Sequence, residues 1–160
     1  MNNSQRPRYS GFTLVELLIV IVVIGVLAAI VTVAYRSVAA HARDSSRDAA
    51  LSQFRSAIEA YHASNGNYPD PSQGGVPCHP GSGTQCTVSD STLGSFLVPG
   101  VVSTLPNDPD KGTSKAILYV TSAGGTAYGL LMLGYETKPA MCRYLGPGAP
   151  ASWWSNAPAC

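Results

Sequence analysis

Ser10-Gly11-Phe12-Thr13-Leu14-Val15-Glu16 heads an apolar run from Leu17 to Ala34 and sets one carboxylate inside it. An ionised side chain within a membrane-length segment costs roughly 2.5–3.5 kcal/mol on insertion scales. A plain anchor would carry a Leu at position 16. The acid is therefore read as functional, and its partner has to be named. The partner it predicts is a new amine, created if the chain is cut between Gly11 and Phe12. The cut would leave Glu16 four residues from a positive N-terminus.

The flanks of this stretch set the topology. The small-residue cut site lies before the apolar run, whereas an ordinary signal peptide is cut behind its apolar region and loses it. The apolar segment is therefore expected to stay on the mature protein. Leu17 to Tyr35 is about long enough to cross a bilayer core. Arg6 and Arg8 precede it, so the positive-inside rule places the leader in the cytoplasm and the rest outside, with Arg36 and Arg43 opposing weakly. All four cysteines lie downstream, in the compartment where disulfides survive.

A chain of 160 residues allows one ordinary domain, or a small domain with an appendage. Its formal charge of +1 argues against a general nucleic-acid binder, which would show a basic patch or stripe. Of ten Lys and Arg, Arg6 and Arg8 belong to the leader, which leaves eight against nine Asp and Glu.

Four regions follow: leader 1–11, membrane half of a helix 12–35, outer half 36–64, and head 65–160. No proline interrupts residues 12–64, which read as one helix roughly 80 Å long. Its first half is apolar all round, as a membrane span should be. Leu51, Phe54, Ile58 and Tyr61 then recur at helical spacing and face a core. Arg43, Arg47, Arg55 and Glu59 mark wetter faces, with Arg55 and Glu59 an i,i+4 pair. Asn65-Gly66-Asn67 with Pro69 stops the helix. Residues 69–90 read as a loop stapled by a short disulfide, and Thr92–Val98 as a short helix ended by Pro99-Gly100. Lys115–Ser122 and Ala127–Glu136 form a hairpin across Gly124-Gly125, and Met141–Leu145 adds a third strand. The class is α+β, a long helix packed on a small antiparallel sheet.

The junction Gly11-Phe12-Thr13-Leu14-Val15-Glu16, the basic leader and Ile24-Gly25-Val26-Leu27-Ala28-Ala29-Ile30 resemble a type IV pilin-like precursor. The resemblance covers Gly11 to about Tyr68. Beyond that it rests on Leu105-Pro106-Asn107-Asp108-Pro109 and the C-terminal cysteines. It implies leader removal by a prepilin peptidase at Gly11–Phe12 and N-methylation of Phe12. It also implies an inner-membrane assembly platform and packing with other pilin subunits into a homo-oligomeric filament. Glu16 would set register by meeting the Phe12 amine of a neighbour. Such a pair selects register more than it adds strength, because desolvation offsets the attraction. The precursor would be a single-pass protein of the cytoplasmic membrane with its head outside. The product would be an extracellular filament, or a periplasmic or cell-envelope pseudopilus.

The sequence departs from that family at Val31-Thr32-Val33, where a proline is common; Gly25, read either as a helix-packing residue or as a point where the helix loosens, and the β-branched run would weaken the helix less sharply. Four cysteines allow three pairings. Cys78 with Cys86 and Cys142 with Cys160 is the expected one, because both close short local loops. The C-terminal loop also looks like the disulfide loop of many type IV pilins. A metal site at Cys78-His79 with Cys86 lacks ligand spacing and a fourth ligand. Asp108-x-Asp110-x-Gly112 resembles the calcium-holding segment of major pseudopilins but is short of ligands, so a turn with solvated acids is expected and no metal or cofactor. Trp153-Trp154 offers either an adhesive or subunit surface, or a cover for the sheet. His41, His62 and His79 have no nucleophile at working spacing, so the chain is read as the substrate of enzymes and not as one. The expected role is a structural pilus subunit. The alternatives are a type II secretion or competence pseudopilin, or a minor pilin with an adhesive or DNA-binding tip.

Overall fold

The computed structural model describes residues 11–75, 78, 85–88, 90–110 and 112–160. Of the expected leader only Gly11 is among them, and His79 lies outside them. The chain divides into two compact units, Met1–Ala39 and Ala40–Cys160, and helix α1 (Leu14–Asn65) belongs to both.

In the first unit the apolar side chains from Leu14 to Val38 whose surroundings are described are exposed. An 18-residue window of the helix reaches a mean hydropathy of 3.3, long and apolar enough to cross a membrane. The helix is continuous through Val31-Thr32-Val33. There the Thr32 hydroxyl donates to the Ala28 carbonyl at 2.8 Å, which lets a β-branched polar residue sit in an apolar helix without an orphan donor.

The second unit is built on the rest of α1. Ala50, Leu51, Phe54, Ala57 and Ile58 are buried and Tyr61 is partly so, which is the stripe that the 3.6-residue period sets out. The stripe packs on a four-stranded antiparallel sheet of β1 (Cys86–Thr87), β2 (Leu118–Thr121), β3 (Tyr128–Leu133) and β4 (Met141–Leu145), in that spatial order. Leu130 stands opposite Tyr119 on one side and Tyr144 on the other. Alternation along the strands then puts Tyr119, Tyr128, Leu130, Met132 and Cys142 in one core with Phe54 and Ile58.

Glycines decide how this unit closes. Gly66, at φ 77°, ends α1, its N–H donating to the His62 carbonyl at 2.8 Å. Gly125, at φ 68°, turns the β2–β3 hairpin and lets it dock on Tyr68, whose N–H donates to the Gly125 carbonyl at 2.8 Å. A Cβ at Gly125 would run into the Tyr68 carbonyl.

Several expectations are corrected. The strands are shorter than the apolar runs Lys115–Ser122 and Ala127–Glu136, because Thr113 to Lys115 is spent on turn hydrogen bonds and residues 134–138 on contacts to α1. Within the expected loop 69–90, Cys86–Thr87 form the two-residue strand β1 by pairing with Tyr119 and Leu118. The short helix divides into a π-turn at Asp90–Gly94 and one α-turn at Ser95–Leu97. Arg47, assigned to a wet face, is 4% exposed. Asp108 is buried and not solvated, because its carboxylate accepts the N–H groups of Asp110 at 2.9 Å and Ile117 at 3.0 Å. Glu59 faces inward to Tyr68 and Tyr128. Arg55 lies 3.7 Å above the Tyr144 ring.

Candidate functional site

Gly11 and Phe12 precede α1 in non-helical backbone, and both are exposed, Phe12 at 83%. The helix starts immediately behind them because Thr13 and Glu16 form a reciprocal cap. The Glu16 carboxylate oxygen Oε2 accepts the Thr13 N–H and the Thr13 hydroxyl, each at 2.8 Å. The Glu16 N–H donates to Thr13 Oγ1 at 3.2 Å. Two donors that a helix N-terminus would leave orphaned are thereby satisfied. Glu16 also stands in the first turn, where the helix dipole favours an anion. Thr13 was missed in the sequence, although Thr13-x-x-Glu16 before an apolar run is a cap signature.

The other sequence-predicted residues form a separate group at the C-terminus. Cys142 is joined to Cys160, and Cys78 to Cys86. The final segment lies along β4. Ala159 bridges Arg143 in parallel, the Arg143 N–H donates to the Pro158 carbonyl at 2.8 Å, and the Cys160 N–H returns to the Arg143 carbonyl at 3.0 Å. The Arg143 guanidinium donates to the Ala151 carbonyl at 2.7 Å and to the Trp153 carbonyl. Trp153 and Trp154, both half-buried, lie against Gly129 on the sheet face opposite α1, and a Cβ at Gly129 would meet both rings. They therefore cover the sheet. Among the described residues no cluster of three or more His, Cys, Asp or Glu side chains is placed to hold a metal ion.

Against known proteins, the motif described as "Prokaryotic N-terminal methylation motif" matches residues 6–32. The chain is 37% identical over 76 residues to a "Type IV major pilin protein PilE1" of Neisseria gonorrhoeae, covering 48% of this chain and 34% of that one. It is 38% identical over 69 residues to a "Fimbrial protein" of Neisseria meningitidis serogroup B, covering 43% and 38%. The chain thus carries an N-terminal methylation motif and is similar, over 69 to 76 residues, to type IV pilin and fimbrial proteins. It spans between 34% and 40% of the length of the curated relatives it matches. No solved structure matches it.

The head of this pilin-like chain holds one more polar assembly, which the motif does not cover. Asp44, at 2% exposure, accepts the Thr137 N–H at 2.8 Å and its hydroxyl at 2.6 Å. It also takes the Glu136 N–H at 3.1 Å and Arg47 Nη1 at 3.0 Å. Burial alone would raise the carboxyl, but the bonds from Thr137, Glu136 and Arg47 outweigh it and hold Asp44 at about 2. Arg47 Nε reaches Asp110 at 2.7 Å, and these two acids keep the guanidinium charged against the pull of burial. Arg43 forks onto Glu136 at 2.6 and 2.7 Å and lowers its carboxyl. Asp48 accepts the Tyr135 hydroxyl at 2.6 Å and Lys138 Nζ. Four charged residues of α1 thus carry the β3–β4 turn.

Proposed function

We propose that this chain is a structural subunit of a type IV pilus-like filament. Prepilin peptidase cuts the leader at Gly11–Phe12, the new Phe12 amine is methylated, and the mature chain assembles with other pilin subunits on an inner-membrane platform. The observation that carries this reading is the placement of Glu16. It is an acid in an otherwise apolar, membrane-length helix, directly behind an exposed, non-helical Gly11–Phe12 bond. Within the membrane the mature chain has one acid and one amine, and meeting across subunits answers both. The chain itself is a substrate and not a catalyst. Before assembly it waits as a single-pass protein of the cytoplasmic membrane with its head outside.

A pilus is favoured over a secretion pseudopilus by two points. The C-terminal segment is closed by Cys142–Cys160, and the relatives it resembles are named as a major pilin and a fimbrial protein. N-terminal sequencing and intact mass of the mature protein, with the yield of sheared filaments from wild-type and Glu16→Ala strains, test the reading. A mature chain beginning at methylated Phe12 and a filament yield lost in Glu16→Ala are expected. A start at Met1 or beyond Val33, or normal filaments from Glu16→Ala, would overturn it.

A further inference from the structure

We infer that the outer edge of β4 is a pairing surface for the same edge of a second copy, closed by residues 158–160 and opened by reduction of Cys142–Cys160. The inference concerns the head alone and holds whatever filament the chain enters. β4 is the last strand of the sheet. In its register with β3, the Gly146 N–H donates to the Tyr128 carbonyl and the Gly134 N–H to the Ala140 carbonyl. Alternation then turns the main-chain groups of Met141, Arg143 and Leu145 away from the sheet. Such a row is a template for a further strand. The edge already accepts one. The Arg143 N–H donates to the Pro158 carbonyl at 2.8 Å, and the Cys160 N–H to the Arg143 carbonyl at 3.0 Å. Among the described residues nothing bonds the outward main-chain groups of Met141 or Leu145. Native edges are commonly guarded by Lys, Pro or a bulge. Met141-Cys142-Arg143-Tyr144-Leu145 has no Lys or Pro and pairs with β3 without a bulge. Its one charge is drawn aside, because the Arg143 guanidinium donates to the Ala151 and Trp153 carbonyls. Residues 158–160 are therefore the guard.

The disulfide holds that guard in place. Ala157 is anchored on its own account, buried and with its N–H on the Trp154 carbonyl at 2.8 Å. Beyond it, two main-chain bonds fix residues 158–160. Ordering three residues costs more than two such bonds return, and the cross-link to Cys142 makes up the difference. This disulfide is also the more accessible one. Cys160 is exposed, whereas Cys78 and Cys86 are both buried. A dithiol reductant therefore reaches Cys160 Sγ first. Its thiolate bonds to that sulfur, the S–S bond breaks, and Cys142 leaves as a thiolate and takes up a proton. The second thiolate of the reductant then displaces Cys160, which is protonated in turn, and the reductant closes its own disulfide. Two electrons and two protons pass to the chain. Residues 158–160 leave the edge, and Met141, Arg143 and Leu145 take a strand from a second copy.

The test uses the full mature chain purified in detergent micelles, with dithiothreitol as the reductant. Along a dithiothreitol titration, alkylation and peptide mapping should label Cys142 and Cys160 before Cys78 and Cys86. At that point hydrogen exchange at the Cys160 amide should quicken about tenfold or more, while the amides of β2 and β3 keep their protection. Sedimentation should show the reduced chain associating as its concentration rises, and the oxidised chain not. A chain carrying both Cys142→Ser and Cys160→Ser should associate in the same way without reductant. Leu145→Pro removes an outward N–H, at a kind of edge position where proline is tolerated. It should weaken association of the reduced chain about tenfold and leave the oxidised chain unchanged. Labelling of Cys78 and Cys86 first, or unaltered exchange at Cys160 after reduction, would overturn the inference. Faster exchange throughout β2 and β3 would mean that the head unfolds instead of opening one edge, and would overturn it as well. So would equal association of reduced and oxidised chains, a double Ser variant that does not associate, or association that Leu145→Pro leaves intact.

Discussion

Asp44→Asn in a head fragment starting at Arg36 should be strongly destabilising at neutral pH, with a deficit that shrinks in acid. Both carboxylate oxygens are committed. Oδ2 takes the Thr137 N–H and hydroxyl, and Oδ1 takes Arg47 Nη1 and shares the Glu136 N–H. An amide offers one acceptor oxygen, so its NH2 must face donors on the other side. Breaking a buried pair by removing one partner costs about 3–5 kcal/mol. Arg47 keeps Asp110, so the low end applies, about 3 kcal/mol. For a domain of this size that corresponds to a fall in Tm of roughly 10–15 °C. The pH dependence has a fixed sign. The folded carboxyl sits at about 2, below its ordinary 3.8. Its contribution is fully present above the ordinary value and is lost as pH falls through about 2, which amounts to about 2 kcal/mol. Thermal unfolding followed by circular dichroism at pH 7 and at pH 2.5 measures both effects. A Tm within two degrees of wild type at pH 7, or a deficit that does not narrow at pH 2.5, would refute the clamp.

Two further outcomes are expected of the same fragment. Phe54→Ala removes a fully buried ring and should cost about 3–5 kcal/mol, while the exposed Ser56→Ala should stay within about 0.5 kcal/mol. Equal small effects in thermal melts would mean that the stripe is not the core. Non-reducing peptide mapping should return Cys78–Cys86 and Cys142–Cys160. Replacing Cys142 and Cys160 by Ser should cost about 3 kcal/mol for a loop of that length, and a Cys86–Cys142 peptide would contradict the pairing.

Periodic features of this chain are legible in its sequence and reciprocal ones are not. The stripe Leu51, Phe54, Ile58 and the hairpin at Gly124-Gly125 follow from side-chain geometry along a single element, so local reading reaches them. Arg47 was misassigned because a charged residue on a helix is normally solvated. What buries it is Asp110, sixty-three positions away, together with Glu136 from another turn. No local pattern announces that meeting. Strand β1 is two residues long and exists only because Cys86 and Thr87 pair with Tyr119 and Leu118. Thr13 is a different case. Its signature was present, but the cost of placing Glu16 in an apolar run drew the reading toward a distant partner and past a neighbour three residues away.

Asp44 and Glu16 are two acids on one helix, and the contrast between them bears on function. Asp44 has donors on both oxygens, all from its own chain, which leaves nothing to recruit. Such a group stabilises a fold. Glu16 has both of its side-chain bonds on one oxygen, in the part of the chain with the least polar surroundings and no other acid. Water would satisfy the second oxygen at no cost, but a bilayer would not. The half-used carboxylate is therefore a small matter in solution and a strong demand for a partner in the membrane. If that demand drives assembly, a second acid there should answer to the same rule. Val15→Asp would add a carboxylate with no Thr at the capping distance to hold it. That subunit should be cleaved yet assemble poorly, even with Glu16 in place. Filaments from Val15→Asp at wild-type yield, by shearing and immunoblot, would show that the layer tolerates a free acid and would remove the reason for Glu16 to seek an amine.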